Sequence, residues 1–171
     1  AIGEIGFDYY HLDSEKVDEY KETQRILFFA MTELAQRYDL PIIVHTREAS
    51  ADTLRYLKES GIRKAIIHCF SEDSAFAREL MEYSDEIYFS FSGILTYKKS
   101  LAVQEAAKLL PLHKILIETD APFLSPQAVR GTTNEPANVR YTLDFLQDLR
   151  NEEHGEIERI IYENSLRVYG I

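Results

Sequence analysis

Two imidazoles and two carboxylates occupy comparable places along this chain. Glu4 lies in Gly3-Glu4-Ile5-Gly6-Phe7-Asp8, and His45 ends Ile42-Ile43-Val44-His45. His68 follows Ala65-Ile66-Ile67, and Asp120 closes Leu116-Ile117-Glu118-Thr119-Asp120. Each belongs to a short β-prone run, so each is expected at or just beyond the C-terminal end of a strand. Parallel α/β folds bind ligands at that edge of the sheet, which would bring the four groups together. Two imidazoles and two carboxylates form a suitable ligand set for Zn²⁺ or Mn²⁺. Taken singly, a histidine ending a strand is more often a hydrogen-bonded residue near the core, and an acid there a helix cap. Four strands ending in the same way are harder to explain so. Placing all four groups at buried strand ends is costly unless they share a partner, and a metal is the simplest one.

The elements that must position them follow from the hydrophobic pattern. Strand-like runs occur at residues 1–6, 41–45, 64–69, 86–91 and 114–118, and helical patterns lie between them. Residues 18–38 place Leu27, Phe28, Met31, Leu34, Ala35 and Tyr38 on one helical face. Further helices are expected over 50–60, stopped by Gly61, and over 74–83, 100–110, 137–150 and 155–168. Residues 119–136, with three prolines and Gly131, read as a long loop. No repeat or linker interrupts the pattern, so residues 1–171 are expected to form a single domain. Strand–helix alternation implies parallel strands joined by right-handed crossovers. An open doubly wound sheet and part of a (β/α)8 barrel both satisfy this pattern.

Composition narrows the function classes. With 45% hydrophobic and 28% charged residues the chain is ordinary globular material. Its formal charge of −10 excludes coating of nucleic acid by bulk charge. A phosphate handled by a local site or through a bound cation stays open. The single cysteine, Cys69, cannot form an internal disulfide and suits a reducing, cytoplasmic setting. Apolar runs fall far short of the ~20 residues of a membrane helix, and no basic-then-apolar leader is visible. The chain opens on Ala1, directly in a strand-like run, which raises the expectation that a segment precedes it.

Six segments in order carry a resemblance. Gly3-Glu4-Ile5-Gly6-Phe7-Asp8-Tyr9, Ile43-Val44-His45-Thr46-Arg47, Ile67-His68-Cys69-Phe70-Ser71, Phe91-Ser92-Gly93-Ile94, Glu118-Thr119-Asp120-Ala121-Pro122, and Arg130-Gly131 followed by Asn134-Glu135-Pro136 resemble the TatD family. These are metal-dependent deoxyribonucleases among the amidohydrolase-like TIM barrels, and the likeness spans essentially the whole chain. It implies that Glu4 bridges two divalent cations (Zn, Mn or Mg), with His45 and His68 completing the ligands of one and Asp120 serving the other. Glu4 and Asp120 would be the catalytic residues, Asp120 also accepting a proton from the attacking water. Arg47 and Arg130 would hold substrate phosphate, a role that suits the planar guanidinium. Glu118, expected to point the same way as Asp120 in an extended strand, would steady a ligand. The implied chemistry is exonucleolytic hydrolysis of DNA phosphodiester bonds by two-metal activation of water. No membrane and no obligate protein partner are expected.

The resemblance also implies what this chain lacks. The family's first strand carries a His-x-His pair, and none occurs here. The five strand-like runs are then expected to be strands four to eight of a (β/α)8 barrel, with roughly 80 residues and three strands upstream. Phe7 stands where the family pattern has Leu, and Thr46 where it has Ser. Of the other histidines, His11 is read as a loop residue, and His113 and His154 as surface residues. Cys69 is expected on the face opposite His68, as a small buried hydrophobe. Tyr97-Lys98-Lys99 could stack a base and touch phosphate, or could simply be a solvated helix start. Glu152-Glu153 reads as a solvated loop. Two other functions remain open: hydrolysis of an amide or ester at the same metal site, and an incomplete fragment that binds metal but hydrolyses little.

Overall fold

The structure is a computed structural model that describes residues 1–10, 12 and 15–171; the expectation for His11 lies outside the described residues. Its contacts gather into two compact units, residues Ala1–His68 with Arg78–Ile87, and Cys69–Ala77 with Tyr88–Ile171.

The first unit contains β1 (Ile2–Asp8), α1 (Val17–Arg37), β2 (Ile42–Arg47), α2 (Ser50–Ser60) and β3 (Ala65–Ile67). β1 pairs in parallel with β2, and β2 in parallel with β3. Pattern and burial agree on which face of β1 and β2 meets the helices. Phe7 is fully buried, with its ring 5.0 Å from both Phe28 of α1 and Tyr56 of α2. Val44 and Thr46 are also buried, and the Thr53 hydroxyl of α2 donates to that of Thr46 at 2.9 Å. Because side chains alternate along a strand, Glu4, Gly6 and Asp8 take the face of β1 opposite Phe7, and His45 the face of β2 opposite Thr46. A shift of register between Ile2 and Ile5 interrupts β1 at Glu4. Irregularities of this kind re-aim a side chain.

The helical face of α1 differs from the expected one. Phe28, Thr32 and Ala35 are its buried residues, whereas Leu27 and Tyr38 are exposed. The stripe is rotated because Phe7 receives Phe28, which fixes the rotation of the helix about its axis.

The boundary between the units passes through α3 (Ser74–Tyr83) and β4 (Ile87–Phe91). The second unit holds most of β4, then α4 (Leu101–Leu109), β5 (Ile115–Ile117), α5 (Val139–Leu149) and α6 (His154–Tyr169). β4 and β5 are parallel, with Phe89 opposite Ile115 and Phe91 opposite Ile117. Phe70, Phe76, Phe89 and Phe91 are buried together, and Phe70 meets Phe89 edge-on at 5.3 Å. Buried Asn164 ties α6 to the start of β5 by donating to the carbonyls of Leu112 and Ile115 at 2.9 and 2.8 Å. Both units therefore have parallel α/β architecture. Among the described residues, no helix is long and apolar enough to cross a membrane.

Candidate metal centre

In the first unit, strand pairing sets His45 opposite Gly6. A β-carbon on Gly6 would fall on the His45 carbonyl oxygen, so only glycine lets β1 run this close. Across this close approach the His45 ring reaches the carboxylates two residues to either side of Gly6. Its Nδ1 lies 3.1 Å from Glu4 Oε1, and its Nε2 lies 3.3 Å from Asp8 Oδ2. Just beyond β3, the His68 amide donates to the Val44 carbonyl at 2.9 Å, continuing the pairing by one residue. That brings His68 Nε2 to 3.6 Å from the same Glu4 Oε1.

Glu4, His45 and His68 each offer a ligand atom, and all three atoms lie within 4.8 Å of one another. Side-chain exposure falls from 52% at Glu4 through 30% at His45 to 14% at His68, so the cluster opens to solvent on the Glu4 side. One carboxylate oxygen shared between two imidazole nitrogens is a donor set that fits Zn²⁺ or Mn²⁺. Beside it, the Arg47 guanidinium carbon sits 3.8 Å from the centre of the Tyr10 ring. The Tyr9 hydroxyl donates to Asp52 at 2.8 Å. Burial and the Asp52 carboxylate push that phenol well above its usual range, so it remains a donor.

The remaining expected site residues belong to the second unit. β5 ends at Ile117, and Asp120 takes a left-handed backbone at φ 56°. The expectation that Glu118 and Asp120 share one face of an extended strand is thereby corrected, because the Glu118 amide still pairs with the Phe91 carbonyl at 2.9 Å but the left-handed backbone at Asp120 breaks the alternation. Glu118 instead turns into the unit. Its carboxylate accepts from the Cys69 amide and from the Ser90 hydroxyl, each at 2.7 Å. Cys69 also departs from expectation: it lies beyond β3 at φ 45°, only half-buried, with Sγ 3.0 Å from Ser92 Oγ.

The loop that starts at Asp120 is shaped by Asn134, which is buried. Its amide donates to the carbonyls of Thr119 and Phe123 at 2.7 and 2.6 Å, and its oxygen accepts from the Glu135 amide and the Asn138 side chain, each at 3.0 Å. Arg130 lies over Tyr97 at 4.3 Å, and the Tyr97 hydroxyl donates to the Ser125 carbonyl at 3.0 Å. Burial raises the Tyr97 phenol above its usual range. Tyr97 is thus anchored, while Lys98 and Lys99 are exposed, as are His113 and His154.

The structure brings Glu4, His45 and His68 together and adds Asp8 and Tyr10, which residue type alone did not single out. The signal for Asp8 was available: Glu4-Ile5-Gly6-Phe7-Asp8 alternates polar or bare positions with apolar ones, and so aligns both acids on one face. No sequence rule pairs Tyr10 with Arg47.

Comparison with known proteins assigns the class. The family model described as TatD related DNase matches residues 1–170. The chain is 39% identical over 173 residues to the uncharacterized metal-dependent hydrolase YabD of Bacillus subtilis, covering all of this chain and 65% of that protein. It is 35% identical to the uncharacterized metal-dependent hydrolase YcfH of Escherichia coli K12, covering all of this chain and 63% of the relative. The crystal structure of YJJV, a TatD homolog from Escherichia coli K12, superposes with a TM-score of 0.86 at 29% identity, over 99% of this chain and 63% of that one. The chain belongs to the TatD family, whose named relatives here are metal-dependent hydrolases. It spans just under two thirds of the length of these relatives.

Proposed function

We propose that this chain carries much of the active site of a metal-dependent deoxyribonuclease that removes nucleotides from DNA ends. The observation that carries the reading is the shared position of Glu4 Oε1, 3.1 Å from one histidine nitrogen and 3.6 Å from another at adjacent strand ends. Glu4, His45 and His68 would hold one divalent cation, and Asp120 would serve a second. Such a cation supplies Lewis acidity toward phosphoryl oxygens and acidifies water near neutral pH. Asp120 would take the proton released when water attacks. Arg47 and Arg130 would orient the phosphate, each guanidinium steadied over a tyrosine ring so that its N–H edge stays available for phosphate oxygens. On this reading the five strands are the fourth to eighth of a (β/α)8 barrel, within one hydrolase domain of a cytoplasmic protein. What supports the barrel part of this reading is the parallel pairing of the strands and a covered share of the relatives' length near five eighths.

The test is hydrolysis of end-labelled DNA by the protein that carries this chain, with Mn²⁺, Mg²⁺ or Zn²⁺ added. Asp120→Ala is expected to abolish turnover, and Arg47→Ala to raise KM more than it lowers kcat. Near-normal turnover in Asp120→Ala would sink the mechanism. Cleavage of ester or amide substrates with DNA left intact would replace the substrate class.

A further inference from the structure

Asp8 has no part in the reading above, yet its carboxylate is held against the one His45 nitrogen that the cluster does not use. On the reading of Glu4, His45 and His68 as a cation site, we propose that Asp8 is a positioning residue that fixes the His45 tautomer and so commits Nδ1 to the cation.

The argument begins with what each atom can do. An ionised carboxylate only accepts hydrogen bonds, so an imidazole nitrogen bonded to it must carry the proton. Neutral imidazole has one proton for two nitrogens, and both of His45's nitrogens face a carboxylate: Nδ1 faces Glu4 at 3.1 Å and Nε2 faces Asp8 at 3.3 Å. Only the nitrogen without the proton can bind a cation. Glu4 Oε1 is shared with His68 Nε2 at 3.6 Å, so the point where three donors converge lies on the Nδ1 side of the ring. A proton on Nε2, held by Asp8, leaves the Nδ1 lone pair directed at that point. A proton on Nδ1 would block it.

Asp8 is built to do this with little freedom. Its other carboxylate oxygen, Oδ1, accepts from the Tyr10 amide at 3.0 Å. Its backbone is clamped from α1: the Gln24 oxygen accepts from the Asp8 amide at 3.1 Å, and the Gln24 amide donates to the Asp8 carbonyl at 3.0 Å. These two bonds use only main-chain atoms of Asp8, so truncating its side chain leaves the end of β1 pinned. Carboxylates that receive the second N–H of a metal-binding histidine fix both the ring's orientation and its tautomer. Asp8 stands in that relation to His45.

Two measurements on the 171-residue chain test the proposal. The first is the tautomer of His45 in the metal-free protein, read from long-range ¹H–¹⁵N correlations with the ring neutral and assigned by the signals lost in His45→Gln. The wild type is expected to carry the proton on Nε2. In Asp8→Ala it should move to Nδ1, where Glu4 is the acceptor that remains. The second is Mn²⁺ and Zn²⁺ affinity by calorimetry. Asp8→Ala should weaken it by roughly 10- to 100-fold, while Asp8→Asn, whose amide oxygen still accepts from Nε2–H, should retain most of it. Asp8→Asn also keeps the test decisive if circular dichroism shows Asp8→Ala unfolded. A wild-type proton on Nδ1, or equal affinity in Asp8→Ala, overturns the role of Asp8. So does an equal loss in Asp8→Asn and Asp8→Ala, which would make Asp8 a ligand itself. A wild type that binds neither cation overturns the cation-site reading beneath it.

Discussion

The Glu4–His45–His68 cluster and the loop following Asp120 are both polar, but they treat their polar groups in opposite ways. In the first unit, three ligand-capable side chains converge on one another, and the most exposed of them is the shared one. In the second, the amide of buried Asn134 is consumed internally, with two bonds given and two received. Ligand-capable groups that meet one another beside solvent can take up an external partner, whereas a side chain spent on main-chain groups holds a loop. Stability is therefore expected to depend on the loop, and ligand affinity on the cluster.

The sharpest way to break this contrast is to remove one member from each region. His68→Ala should lower cation affinity by more than about 100-fold, exceeding the effect of partners that act through a ligand, with little change in the unfolding midpoint. Calorimetry and urea denaturation read the two quantities separately. A large loss of stability would mean that His68 is a structural residue.

Asn134→Ala should do the reverse. It removes the donor to the carbonyls of Thr119 and Phe123, and the cost should be about 2 kcal/mol of unfolding free energy, since each hydrogen bond contributes roughly 0.5–1.5 kcal/mol. Hydrogen exchange should locate the loosening in residues 119–136. Unchanged protection there would show that the loop is held by other contacts.

A smaller effect sharpens the same point within the second unit. Arg150 is nearly buried, donates to the carbonyls of Ala107 and Leu110 at the end of α4 at 2.6 and 2.9 Å, and pairs with Glu152 at 2.6 Å. The solvated-loop reading of residues 152–153 thus needs correction at Glu152, which completes a cap on α4. The hydrogen bond from Arg150 holds the Glu152 carboxyl below its ordinary range. A carboxyl depressed on folding contributes stability that is present above its unfolded pKa, about 4.3, and lost as pH falls through the folded value. Glu152→Gln should therefore flatten the acid limb of the stability curve below about pH 4, by less than about 1 kcal/mol given its partial exposure. Denaturation midpoints across that range measure it. The exposed Arg25–Glu22 pair on α1 should change them less than Glu152 does.

Much of the site was legible in the sequence because strand ends can be read from apolar runs. His68 lies one residue past β3, as that pattern expects, whereas Glu4 and His45 lie inside longer strands, β1 running on to Asp8 and β2 to Arg47; both histidines face Glu4. What could not be read depends on backbone excursions that leave little trace in residue type. Asp120 and Cys69 adopt left-handed backbones that end the period-two alternation used to orient Asp120 and Cys69. The buried face of α1 was misjudged by a fraction of a turn, since its rotation is set by Phe7 of a strand distant in sequence. Asp8 was written in the alternation of β1 but needed the register with His45 before it meant anything.

Gly6 carries a consequence for how this chain tolerates change. It donates no group to any reaction, yet a β-carbon there would meet the main chain at His45 rather than a side chain that could swing aside. In a saturation mutagenesis scan scored by function, position 6 should reject every substitution, alanine included, and so carry the mutational fingerprint of a catalytic residue. Position 5, whose side chain lies on the other face, should accept several aliphatic residues. A naive reader of such a scan would place Gly6 in the chemistry. Its real contribution is an empty volume, taken up by the main chain of the strand beside it.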